Sequence, residues 1–87
     1  MEEIQMRELL IGQRIKKFRK KKDLTQEEMA GHLNISFQTI SKWERGESYP
    51  DITMLPSLAN YFEVTIDELI GMDEINSSEK IENLVRQ

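Results

Sequence analysis

The sequence predicts an all-α fold of five short helices followed by a C-terminal tail, and three observations carry that prediction. Apolar residues recur at helical spacing along most of the chain, with no strand-like alternation. Two Thr-x-x-Glu capping boxes occur, Thr25 to Glu28 and Thr65 to Glu68, a pattern that satisfies backbone N–H groups left free at a helix start. Asn34, Gly46 and Gly71 stand where helices would stop, each suited to a left-handed C-terminal cap. With 87 residues the chain makes one small domain, burying only about 60–65% of its unfolded surface.

The first helix is expected to start between Met6 and Leu10 and to end near Lys22, because Ile11, Ile15 and Phe18 fall at i, i+4 and i+7. Its Lys20-Lys21-Lys22 finish suits the negative end of the helix dipole. Gly12 within it costs about 1 kcal/mol relative to Ala. Thr25 caps a second helix whose inner stripe is Met29, Ala30 and Leu33, with Asn34 as its stop. Ser36 can then cap a third helix from about Phe37 to Arg45, closed by Gly46. Thr53 is the preferred cap of a fourth helix carrying Leu55, Leu58, Ala59 and Phe62 inward. That start leaves Pro56 in the first turn, where its missing N–H removes no intrahelical bond; a start at Ile52 would put it deeper. The fifth helix opens at Thr65, turns Ile66, Leu69 and Ile70 inward and ends at Gly71. Residues 1–71 thus read as the domain. Residues 72–87 read as an acidic linker or tail, where Ser78 can cap a last amphipathic turn through Ile81, Leu84 and Val85.

Composition removes several classes of function. With no Cys and a single His, disulfides, iron–sulfur clusters and Cys/His zinc sites are excluded, and no metal or cofactor is expected. No apolar run approaches the roughly 18–20 residues of a membrane span and no signal-peptide pattern opens the chain, so a soluble cytoplasmic protein is expected. Catalysis finds little footing. His32 is the sole imidazole and reads as a surface or half-buried residue, and neither a Gly-rich phosphate loop nor a nucleophile elbow is present. The chain is therefore read as a non-enzyme.

The net charge of −4, taken alone, argues against nucleic acid as a partner, but its distribution does not. Residues 1–45 carry 10 basic and 7 acidic side chains, a net of +3, whereas residues 46–87 carry 2 basic and 9 acidic, a net of −7. Arg14 to Lys22 alone contributes seven positive charges and no negative one. Such asymmetry points to an electrostatically chosen partner, the other reading being a solvated helix face.

The gap between the second and third helices is only about three residues, Asn34 to Ser36, which leaves the two crossing steeply in helix-turn-helix geometry. An ordinary corner in a small bundle is the alternative, and the outer face of the third helix decides between them. At 3.6 residues per turn, Ile40, Trp43 and Glu44 share one side with Phe37, while Gln38, Ser41, Lys42 and Arg45 share the other, with Thr39 beside them. That outer arc has an amide, hydroxyls and two cations but no carboxylate. Gln pairs bidentately with adenine, Lys or Arg donates to guanine, and Ser or Thr serves base edges or phosphates. Glu44, on the Ile40/Trp43 side, needs a cation because an unpaired buried charge is strongly unfavourable; Arg19, next to Phe18, is the expected partner, with exposure of Glu44 at the rim as the alternative.

These residues resemble a known family. Ile11-Gly12-Gln13-Arg14-Ile15 through Phe18-Arg19, Leu24-Thr25-Gln26-Glu27-Glu28-Met29-Ala30, Ile40-Ser41-Lys42-Trp43-Glu44-Arg45-Gly46, Pro50 and Thr65-Ile66-Asp67-Glu68-Leu69 are similar, in order and spacing, to the phage repressor/Cro-type (xenobiotic-response-element) helix-turn-helix domains. The resemblance covers about residues 9–71. It implies a lambda-repressor-like domain whose third helix enters the major groove. By the same resemblance Gln26 grips a phosphate and braces the reading helix, Ser36, Phe37, Gln38, Thr39, Ser41 and Lys42 lie at base- and phosphate-contact positions, and Arg45 meets the DNA backbone. Arg19 and Glu44 match an internal salt bridge. Phe37 departs from the pattern, which is commonly polar there. From its own chemistry it is either core or exposed; the family geometry exposes it, where it can pack on a thymine methyl.

The expectation is a sequence-specific double-stranded DNA-binding transcriptional regulator, a repressor acting as a homodimer. The apolar residues Ile75, Ile81, Leu84 and Val85 are expected to supply the dimer contact, or to dock on a domain outside this chain. The rival is an antitoxin-type or adaptor protein whose acidic C-terminal half binds a protein partner.

Overall fold

A computed structural model of the chain describes residues 10–72, which hold five α-helices and one 3-10 turn. They are α1 (Ile11–Lys21), α2 (Gln26–Leu33), α3 (Phe37–Arg45), the 3-10 turn (Ile52–Met54), α4 (Leu55–Phe62) and α5 (Ile66–Ile70). The expected last amphipathic turn after Ser78 lies outside the described residues, as do the positions before Leu10 proposed for the helix start.

The helix ends follow from local chemistry. Thr25 Oγ1 accepts from the Glu28 N–H at 3.0 Å while the Glu28 carboxylate accepts from the Thr25 N–H at 2.8 Å, and Thr65 with Glu68 repeats both bonds at the same distances. Ser36 Oγ accepts from the Thr39 N–H at 3.2 Å to open α3. Asn34, Gly46 and Gly71 all take left-handed conformations as C-caps. Glu63 does the same after α4, a conformation that a side chain of this type rarely adopts.

The start of α4 differs from expectation. Thr53 is not its cap: Asp51, whose carboxylate accepts from the Thr53 N–H at 3.1 Å, caps a preceding 3-10 turn, and α4 itself follows Met54 with no side-chain cap. The tighter 3-10 turn takes up Ile52–Met54, so the α-helical ladder begins only at Leu55 and Pro56 is its second residue. The missing N–H of Pro56 is then one of those a helix start leaves free anyway, and the earlier start of the segment breaks nothing.

The core is formed by Ile11, Ile15, Met29, Ala30, Ile40, Trp43, Leu58, Ala59, Phe62 and Leu69. Phe18 and Leu33 are half-buried against it, and the rings of Phe18 and Phe62 lie 5.7 Å apart. Ile66 is exposed, not inward: α5 is little more than one turn long, so only Leu69 is fully covered. Gly12 has a packing reason that outweighs its poor helix propensity. A Cβ there would stand 2.2 Å from the Trp43 carbonyl oxygen, so only glycine lets α1 approach α3 this closely. Among the described residues no helix is long and apolar enough to cross a membrane.

Candidate nucleic-acid interface

The turn between α2 and α3 is set by two local features. Asn34 reverses the chain in its left-handed conformation, and the Ile35 N–H returns to the Ala30 carbonyl at 3.1 Å. Ser36 then restarts the helix. The inner side of α3 is held by Ile40 and Trp43, both in the core. Its outer side presents Phe37, Gln38, Lys42 and Arg45 to solvent, with Thr39 and Ser41 half-exposed. At 42% exposure, Phe37 lies on this surface and not in the core.

A charged network fastens α3 from behind. The Arg19 guanidinium donates from Nε to Glu44 Oε2 at 2.6 Å and from Nη2 to Oε1 at 3.0 Å, a two-pronged pair in which the Glu44 side chain is only 3% exposed. Arg19 Nη1 donates to the Leu24 carbonyl at 2.7 Å, and the Gln26 amide donates to Glu44 Oε1 at 3.1 Å. Glu44 therefore ties α3 to α1 and to the first residue of α2, and Arg19 extends the network to the chain leading into α2. The hydrogen bonds from Arg19 to Glu44 raise the arginine above its ordinary pKa, outweighing the opposing effect of burial. Gln26, expected to meet phosphate, uses part of its amide to hold α3.

Other residues singled out from the sequence have more local roles. The Ser36 hydroxyl is engaged in capping and shares a 2.9 Å hydrogen bond with Thr39 Oγ1. His32 is exposed, with Nδ1 2.7 Å from the Tyr61 hydroxyl. Burial and the nearby Glu28 carboxylate raise the Tyr61 pKa. The basic run of α1 is thinner than its sequence suggests, because Arg14 and Arg19 are each only 8% exposed. Arg14 Nη1 donates to the Glu68 carbonyl at 2.8 Å, linking α1 to α5. The solvent-facing charges of the run are Lys16, Lys17, Lys20, Lys21 and Lys22.

One member of the surface is absent from the sequence reading altogether. The Glu47 carboxylate accepts from Arg45 Nε at 2.8 Å and from Nη2 at 3.0 Å, and Arg45 Nη1 donates to Ser41 Oγ. Residues two apart on a helix face away from each other, so the spacing gave no warning. The left-handed turn at Gly46 folds the chain back and brings the two together. The available signal was a carboxylate directly after a helix-stopping glycine.

Two helices joined by a short turn, the second braced from behind and polar in front, define a helix-turn-helix domain. A family model described as helix-turn-helix matches residues 15–69, and the chain belongs to that family, in its Cro/C1 type. The transcriptional activator BcrR of Enterococcus faecalis is 39% identical over 72 residues, covering 83% of this chain and 35% of BcrR. The transcriptional repressor RstR of the cryptic phage CTXphi, from Vibrio cholerae, is 30% identical over 77 residues, 88% of this chain and 69% of RstR. The crystal structure of a transcriptional regulator from Listeria innocua matches with a TM-score of 0.65 at 27% identity, over 88% of this chain and 77% of that one. This chain is a helix-turn-helix domain of the transcriptional-regulator type, spanning about a third of BcrR's length.

Proposed function

We propose that this protein is a sequence-specific double-stranded DNA-binding regulator that acts as a homodimer in the cytoplasm, represses by occupying its operator, and catalyses no reaction. The observation that carries this reading is the outer side of α3: Phe37, Gln38, Lys42 and Arg45 exposed together, while the one carboxylate of the helix is turned inward onto Arg19. Gln38 and Lys42 are suited to base edges, Phe37 to a thymine methyl, and Ser36, Thr39, Ser41 and Arg45 to base edges or phosphates. Gln26 adds a phosphate contact with the part of its amide that Glu44 leaves over. Residues 1–71 form the DNA-binding unit, and residues 72–87 serve as an acidic linker or tail whose charge favours facing away from the duplex.

Dimerisation is supported by reach. One short helix reads few base pairs, so useful specificity needs two half-sites about 34–36 Å apart. Repression is supported by economy, since occupancy of an operator blocks transcription without any further surface.

Selection of bound sequences from a random duplex pool tests the whole reading. A recovered site with two symmetric halves at that spacing is the expected result, with affinity falling steeply as salt rises. On that site Gln38→Ala should relax preference at one base pair, at a loss of about 1–3 kcal/mol, while Arg45→Ala weakens all sequences alike. Absence of binding even at low salt would overturn the reading in favour of a protein partner.

A further inference from the structure

We propose that Glu47 sets the threshold for backbone binding by holding Arg45 in the free protein as a phosphate would, so that DNA must displace a carboxylate to engage this arginine. The proposal rests on the DNA-binding reading above and adds a residue which that reading does not use.

Three of the five N–H groups of the Arg45 guanidinium are already committed: Nε and one on Nη2 to the two Glu47 oxygens, and one on Nη1 to Ser41 Oγ. A carboxylate and a phosphate present two oxygens to the same guanidinium edge in the same fork geometry. Glu47 therefore occupies the edge that a phosphate diester would take. The pair is open to solvent, with both side chains 53% exposed, so its exchange needs no unfolding and no repacking. Each partner also favours the charged form of the other: Glu47 lies below the ordinary carboxylate range and Arg45 above the ordinary arginine value, in both cases chiefly through their shared hydrogen bonds.

The contrast with Glu44, one residue before Arg45, sharpens the assignment. Glu44 cannot be reached by a duplex and only positions α3. Glu47 follows the Gly46 cap of α3 and covers the Nε–Nη2 edge of Arg45, the edge a phosphate would need. What the carboxylate competes with is a phosphate, which carries no base identity, so the effect of that competition for the Arg45 edge falls on affinity and not on sequence preference.

A double-mutant cycle tests this in the full chain, with wild type, Glu47→Gln, Arg45→Ala and the double variant titrated against a selected duplex and a scrambled one at fixed low salt. Glu47→Gln should tighten both duplexes about two- to five-fold, the range expected for release of an exposed pair, and that gain should largely vanish in the Arg45→Ala background. An equal gain with and without Arg45 would overturn the proposal, leaving simple repulsion. Weaker binding by Glu47→Gln would also overturn it, by showing that the carboxylate orients Arg45 toward DNA. Binding by none of the four proteins would instead overturn the DNA-binding reading itself. As an independent readout, the Arg45 Nε–H resonance should shift on addition of either duplex to wild type, and Glu47→Gln should move it in the free protein; a resonance that DNA leaves in place would overturn the exchange.

Discussion

Two arginine–carboxylate pairs meet at the end of α3, and adjacent residues, Glu44 and Arg45, each contribute one half of a pair. In both, an arginine offers Nε and Nη2 to the two oxygens of a glutamate, at 2.6 and 3.0 Å inside and at 2.8 and 3.0 Å outside. Their surroundings differ completely. The Arg19–Glu44 side chains are 10% and 3% exposed, while Arg45 and Glu47 are both 53% exposed. The same chemistry therefore does two things. Where water is excluded, the loss of one partner strands a charge, so the pair fixes the position of a helix. Where water is present, either partner can be solvated or exchanged, so the pair is suited to competition with a ligand.

The comparison can be broken most readily from the inner side. Arg19→Ala should lower unfolding free energy by about 3–5 kcal/mol, read by urea titration, because Glu44 would keep its burial and lose its counter-charge. An unchanged midpoint would remove the distinction between the two pairs. Next in size is Gly12→Ala, which gains about 1 kcal/mol of helix propensity yet meets the Trp43 carbonyl. Forcing α1 and α3 apart should outweigh the gain and leave a net loss of about 1–2 kcal/mol in thermal melting. A stabilised variant would mean that the close approach does not hold α3 in place.

Ser36→Ala sits at the border of the two sides and should cost about 1 kcal/mol through its cap on α3, whatever it does to DNA binding. On the outer side, Gln38→Ala and Lys42→Ala should change stability by no more than about 0.5 kcal/mol while altering DNA binding. A large stability loss from either would place that side chain in the core. The smallest effect is the pH response of the outer pair. Arg45 depresses the Glu47 carboxyl, so whatever the pair contributes is present above the ordinary carboxylate range and lost as pH falls through the lowered value. With both groups in water the contribution is screened, so any difference in melting between wild type and Glu47→Gln should be small and constant between about pH 6 and 8 and should disappear only as pH falls through the lowered Glu47 value.

Much of this division was legible in the sequence. The caps at Thr25, Ser36 and Thr65, and the stops at Asn34, Gly46 and Gly71, are local interactions spanning a few residues, and local composition specifies them. The separation of α3 into inner and outer sides follows from helical periodicity except at Phe37, which periodicity groups with Ile40 and Trp43 and the fold leaves exposed at the start of the helix. The two departures in the fold, a 3-10 turn capped by Asp51 where Thr53 was expected to cap α4 and Ile66 at the surface, share a cause: a short segment can exchange an α-helical turn for a 3-10 turn, or cover only one residue, without disturbing its apolar spacing.

The net charge and its split between the halves are properties of the sequence, as are the five helices, the caps at Thr25, Ser36 and Thr65, and a third helix whose outer side carries no carboxylate. Three features belong to the tertiary structure alone: that Gly12 lies against the Trp43 carbonyl, that Arg14 of the basic run turns inward to the Glu68 carbonyl, and that Glu47 reaches back to Arg45. Periodicity assigns each residue a direction around its own helix axis. It carries no information about which backbone atom of another helix waits in that direction, or where a left-handed turn returns the chain. Those are settled only when the helices pack.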